Sequence, residues 1–152
     1  MKDLKNGEKF SINDKAISSA SLIKAFTMAA SYENMEKIRI AEGMLLKADS
    51  ASQTVTDKLF RLMENMVTYS DNESFNEMVR LQTASNQFNA GARVINRYLR
   101  EQGYKETAVL HTLAPSNTDS EGIGSSNMTS VEDCGTLAGE DLPKRMCKSG
   151  GF

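Results

Sequence analysis

Apolar residues recur along most of this chain at the three- and four-residue spacing of helices, and almost nowhere with the strict alternation of strands. From Thr54 the stripe Val55, Leu59, Leu62, Met63 and Met66 predicts one helix. Phe75, Met78, Val79 and Leu81 predict a second that starts at Ser70 or Asp71. Phe88, Val94, Ile95, Tyr98 and Leu99 predict a third over about 86–102, with Gly103 as its natural stop. Earlier, Leu22, Ile23, Ala25, Phe26, Met28, Ala29, Ala30 and Tyr32 occupy nearly every side of a helix, so that helix is expected to be buried all round. A polar residue at its start, such as Ser21, then opens into an internal cleft. Residues 35–50 are only weakly helical in pattern.

The remaining segments read differently. Asn6-Gly7 is a hairpin turn signal, and Lys9 to Ile12 alternates as an antiparallel strand does. Residues 111–128 hold Pro115, Gly122, Gly124 and many Ser, Thr and Asn, the composition of a long loop. Thr129 with Glu132 has the spacing of a capping box ahead of a short helix. From Gly139 onward no period is discernible. The expected organisation is a hairpin over 1–15, a helical body over 16–138 and an atypical tail over 139–152.

Composition narrows the function classes. The 152 residues carry a net charge of −2, so no basic face calls for nucleic acid, and six Phe, four Tyr and no Trp give no stacking platform. The two cysteines, Cys134 and Cys147, do not form a metal spacing, and neither metal nor other cofactor is expected. No apolar run reaches bilayer length. The first nine residues are polar, so no signal peptide is read and the chain as written is expected in the cytoplasm, its thiols reduced.

Two short motifs carry the candidate chemistry. Ser21-Leu-Ile-Lys24 places a hydroxyl and an amine one helical turn apart on one face. Ser70-Asp71-Asn72 adds a second hydroxyl and a side-chain amide. Each has a plainer explanation. Ser21 can cap a helix start and Lys24 can snorkel. Ser70-x-x-Glu73 is itself a capping box. The chemical explanation gives the same residues work to do. A lysine desolvated by an apolar helix loses basicity and can serve as a base towards the serine hydroxyl. His111 has no Ser or Asp at a telling distance and reads as a loop-packing residue.

The four blocks Ser19-Ala-Ser-Leu-Ile-Lys-Ala-Phe-Thr-Met-Ala-Ala30, Met66-Val-Thr-Tyr-Ser-Asp-Asn72 with Asn76-Glu-Met-Val79, Phe88-Asn-Ala-Gly-Ala-Arg-Val-Ile-Asn96, and Thr129-Ser-Val-Glu-Asp-Cys-Gly135 resemble, in order, helices of class A β-lactamase-like serine hydrolases. The resemblance covers roughly residues 5 to 137. It implies an α+β fold of the serine β-lactamase and DD-peptidase type, with this chain mostly its helical subdomain. It implies acyl-serine chemistry on β-lactams or peptidoglycan peptides, outside the cytoplasmic membrane. Ser21 then resembles the acylated nucleophile, Lys24 its base, and Ser70 the shuttle of a proton to the leaving nitrogen. Asn72 resembles the amide that holds the substrate's side-chain carbonyl, and Asp71 a structural cap.

Two departures qualify the resemblance. The loop from His111 to Asn127 has only Glu121 where the family has a Glu-x-x-Leu-Asn motif for the deacylating water, so fast hydrolysis is not expected. The family's third motif, Lys-Thr-Gly on a strand, has only Lys148-Ser149-Gly150 as a counterpart, at the very end of the chain. The tail from Leu137 suggests a shifted reading frame and a truncated product with negligible turnover. Lacking the sheet side of its cleft, such a chain is expected to expose Phe26- and Met28-type surface and to self-associate. The competing expectation is a non-catalytic helical interaction module.

Overall fold

The computed structural model describes residues 15–38, 51–114 and 121–139. The expected hairpin, most of the weakly helical 35–50 stretch, Lys148-Ser149-Gly150 and the tail beyond Gly139 lie outside these residues, as does 115–120 within the long loop.

The architecture is α+β and mostly helical. A 3₁₀ turn over Ala20–Leu22 leads into α1, Ile23–Glu33; the other helices are α2, Ala51–Thr68, α3, Asn72–Arg80, α4, Phe88–Glu101, and α5, Val131–Gly139. The apolar stripes predicted from spacing form one core. Leu59, Met63 and Met66 of α2 join Phe75, Met78 and Val79 of α3 and Phe88, Ala92, Ile95 and Leu99 of α4 in a single buried cluster. The central helix α1 is largely enclosed, with Ile23, Phe26, Ala29 and Ala30 buried, but Leu22, expected in the same buried helix, lies in the preceding turn and is exposed.

Phe26 is not a surface residue. It is 1% exposed and stacks edge-on against Tyr104, ring centres 5.2 Å apart, while Met28 packs partly buried against the same core. The anticipated exposed surface is therefore absent at Phe26, where Tyr104 fills the space beside α1, while Met28 keeps part of its surface open. Tyr104 is delivered there by the end of α4. Gly103 takes φ +86°, its amide bonds Arg100 O at 3.0 Å, and the Tyr104 amide returns to Leu99 O at 2.9 Å. That is the left-handed helix stop which Gly103 predicted.

α3 and α4 approach closely at Gly91. A Cβ built there would lie 1.8 Å from Val79 O, so only glycine fits. At two helix starts the cap is the residue after the one that opens the capping-box spacing, and Asp71 is the cap that the resemblance implied. α3 is capped by Asp71, whose carboxylate accepts from Ser74 N at 2.7 Å, which frees Ser70 for other work. α5 is capped by Ser130, which accepts from Asp133 N at 3.1 Å. Thr129 instead sits in a strand opposite Ile17, and its buried hydroxyl pairs with Thr107 at 2.9 Å.

The described strands are β1, Ile17–Ser18, and β2, Met128–Thr129, paired antiparallel with Ile17 opposite Thr129. They join the approach to α1 to the far end of the long loop. Ser19 N then reaches Asn127 O at 2.8 Å, so the residues just before Ser21 are fastened to that loop. Among the described residues no helix is long and apolar enough to cross a membrane.

Candidate active site

The site is built by three helix termini. Ser21 lies in the 3₁₀ turn ahead of α1 and is exposed, while Lys24, one turn on, is buried. Ser70 and Asn72 come from the junction between α2 and α3. At that junction Tyr69 N and Asp71 N both return to Asn65 O, at 3.2 and 3.1 Å, and Ser70 between them takes φ +55°. A left-handed serine reverses the chain here, so α2 ends and α3 begins within three residues. Ala20, the neighbour of Ser21, also has a positive φ, of +45°. Both serines thus border or occupy backbone conformations that cost an L-residue on the order of 1–2 kcal/mol.

Their side chains converge. Lys24 Nζ lies 2.6 Å from Ser70 O, 2.7 Å from Asn72 Oδ1, 2.9 Å from Ser70 Oγ and 3.5 Å from Ser21 Oγ. Ser70 Oγ is 3.1 Å from Ser21 Oγ. Ser21, Lys24, Ser70 and Asn72, chosen from two separate motifs, therefore meet at one amine. Asp71 faces α3 as its cap.

The basicity of Lys24 follows from its surroundings. Burial pushes its pKa below the ordinary 10.5, partly opposed by the attraction of the Asp71 carboxylate. A neutral amine has two N–H donors and one lone pair. The carbonyl of Ser70 and Oδ1 of Asn72 can only accept, so they take the two hydrogens. When the amine is deprotonated its lone pair is left for the two hydroxyls, the arrangement a base needs; when it is protonated the third hydrogen is donated to them.

Asn72 is oriented from both ends. Its Oδ1 faces Lys24, and its Nδ2 donates to Ala114 O at 2.7 Å. One N–H of the amide stays uncommitted by these contacts. Ala114 belongs to a segment hung on asparagines. Asn96 pairs both ways with the backbone of Val109, Nδ2 to O at 2.8 Å and N to Oδ1 at 2.7 Å. Asn76 does the same at Leu113, both bonds 2.8 Å. Asn127 accepts from Leu110 N and His111 N and donates to His111 O, at 2.7, 2.9 and 2.8 Å. These side-chain amides supplement the antiparallel backbone bridges of Ala108 with Met128 and of His111 with Gly122.

These asparagines carry no periodic signal, because their partners are backbone groups distant in sequence, and the sequence reading passed over them. His111 is the loop-packing residue expected: Nδ1 lies 2.9 Å from Thr112 O, and the ring lies against Gly122, where a Cβ would come within 2.7 Å of it. Glu121 points its carboxylate at Arg80, 2.6 Å away, and Ala114, the residue that reaches Asn72, offers no proton acceptor on its side chain. Cys134 is free, and the described residues hold no cluster of His, Cys, Asp or Glu fit for a metal.

The model of the β-lactamase enzyme family matches residues 1–140. No curated protein and no solved structure matches the chain.

Proposed function

Because the chain belongs to the β-lactamase enzyme family, we propose that its site opens β-lactam rings, or cleaves the related peptidoglycan peptides, by acylating Ser21. The observation that carries this reading is the convergence of two hydroxyls and an amide oxygen on the buried amine of Lys24, with Ser70 Oγ 2.9 Å and Asn72 Oδ1 2.7 Å from it.

In the proposed sequence Ser21 Oγ attacks the scissile carbonyl while its proton passes to Lys24 Nζ. The C–O bond to Ser21 forms and the C–N bond of the substrate breaks. The leaving nitrogen then takes a proton from Ser70 Oγ, which Lys24 replenishes across 2.9 Å. The free N–H of Asn72 holds the carbonyl of the substrate's side chain. The start of α1 supports the negative charge that develops at the reacting carbonyl. No carboxylate of the described loop residues is offered to an attacking water, since Glu121 is engaged by Arg80. Because the loop sequence also lacks the family's Glu-x-x-Leu-Asn motif, the reading is acylation with negligible turnover, so that the acyl-enzyme accumulates.

A fluorescent penicillin tests it. The parent protein should retain the label through denaturing electrophoresis, and Ser21→Ala should not. A Ser21→Ala protein that labels like the parent removes Ser21 from the role of nucleophile.

A further inference from the structure

The far end of α1 borders a cavity of about 310 Å³ that the acylation chemistry leaves unused. It lies between the end of α1, with the residues that follow it, and the C-terminal half of α4. Lys24 and Glu33 are nine positions apart on α1, about 14 Å at 1.5 Å per residue, so the cavity is separate from the site at Ser21.

Its floor is apolar and firmly held. Ala30 and Ile95 are buried there. Beside them Gln82, 5% exposed, donates to Ser31 Oγ at 2.9 Å and to Met78 O at 3.1 Å, and its Oε1 accepts from Asn34 Nδ2 at 3.1 Å. Asn34 also lines the cavity, and its Oδ1 has no partner among the described residues.

Four charged side chains rim this floor, two of each sign. Glu33 and Lys37 stand on one wall, Arg97 and Glu101 on the other. Each pair has the i, i+4 spacing of a helical ion pair, yet none of the four makes an ion pair among the described residues. Each pair stays open for its own reason. Asn34, with φ −96° and ψ 5°, bends the chain between Glu33 and Lys37 and takes them off a common helix face. Arg97 precedes Glu101, the weaker order for a helical pair. Glu101 is the last residue of α4, where the helix dipole disfavours a carboxylate and favours a cation beside it. Arg93 and Arg100, exposed one turn to either side of Arg97, add positive potential at the other end.

We propose that this cavity binds a small zwitterion with an apolar body, of dipeptide size. The ligand's ammonium meets the carboxylates of Glu33 and Glu101. Its carboxylate meets Lys37 and Arg97, whose planar fork can take both oxygens. Its side chains cover Ala30 and Ile95. The volume, that of about ten waters, is at the lower end for ligand pockets and leaves no room for a longer peptide.

The probe is the dipeptide leucyl-alanine, titrated into the full chain while backbone amide shifts are followed by NMR. Its N-acetylated and C-amidated forms each lack one charge. Saturable binding should move the amides around Glu33, Asn34, Arg97 and Glu101 and leave those of Ser21, Ser70 and Asn72 in place. Each blocked form should bind roughly tenfold more weakly, as for a lost charge-assisted hydrogen bond. In Arg97→Gln the preference for the free over the amidated peptide should largely disappear, while that over the acetylated one stays. Glu101→Gln should do the reverse, because each variant removes a partner of one end only. Arg93→Gln, which does not line the cavity, should bind within about twofold of the parent. These preferences are ratios measured within one protein, so loss of fold does not imitate them. The readout is binding, and it holds whether or not Ser21 is acylated. No saturable binding at millimolar dipeptide, equal binding of the blocked forms by the parent, or shifts confined to the residues around Ser21 would overturn the proposal.

Discussion

The hydroxyls of Ser70 and Ser21 lie 3.1 Å apart although 49 positions separate them in sequence. Two short motifs, each with an ordinary capping explanation, are brought to one point because α2 and α3 are joined through a left-handed serine. That joint serves both fold and chemistry. It ends α2, presents Ser70 Oγ and Ser70 O to Lys24, and leaves the capping of α3 to Asp71.

The strain at Ser70 predicts opposite effects on stability and labelling. Ser70→Gly should be more stable than Ser70→Ala by about 1 kcal/mol, because glycine accepts φ +55° without a Cβ penalty. Both should label at least ~100-fold more slowly than the parent, as expected for a lost proton relay. Urea denaturation and labelling kinetics on the same pair of variants check this. Equal stabilities would remove strain from the explanation.

Lys24 predicts the pH dependence. Its native pKa lies below 10.5, so the labelling rate should rise along a limb centred below that value as the amine loses its proton. The same shift sets a stability slope. Between the depressed native value and 10.5 the unfolded chain binds the extra proton, so this group's contribution to stability increases as pH rises through that window. Lys24→Arg, which stays protonated, should abolish labelling at every pH.

Asp71 has the same sign in a more acidic window. Hydrogen bonds from Ser74 hold its pKa below the ordinary 3.8, aided by Lys24. Its cap is fully present above the unfolded value and is lost as pH falls through the native one. Asp71→Ala should lower stability by about 1 kcal/mol at neutral pH, and the difference from the parent should vanish in acid. A difference that persists once the carboxyl group is fully protonated would mean the carboxylate is not the cap.

Two packing predictions concern the frame behind the site. Gly91→Ala must part α3 from α4, because its Cβ would lie 1.8 Å from Val79 O, and should destabilise by about 3 kcal/mol. Asn96→Ala leaves Val109 N and O without partners in a buried setting and should cost roughly 2–4 kcal/mol. Thermal unfolding of each variant measures both.

Much of this was legible from spacing. The stripes of α2, α3 and α4, the enclosed α1 and the stop at Gly103 all follow from periodicity and from one glycine, because burying an apolar face needs a fixed register. Ser21, Lys24, Ser70 and Asn72 were legible as motifs, and their convergence as a resemblance. What spacing could not reveal were interactions with no period. Asn76, Asn96 and Asn127 serve backbone groups of a loop, and Arg80 finds Glu121 from 41 positions away. Tyr104 covers Phe26 only because the stop of α4 turns it inward, so the exposed face expected there does not exist. The pairing of β1 with β2 is equally non-local: two-residue strands have no alternation to read.

The central claim is that Ser21 is the acylated residue of a site that does not clear its acyl group. Intact-protein mass spectrometry after incubation with benzylpenicillin, followed by peptide mapping, tests it most directly. The predicted result is a single adduct of the antibiotic's full mass on the peptide containing Ser21, persisting after excess drug is removed and absent in Ser21→Ala. A parent protein that stays unmodified, or an adduct that survives in Ser21→Ala, would contradict it.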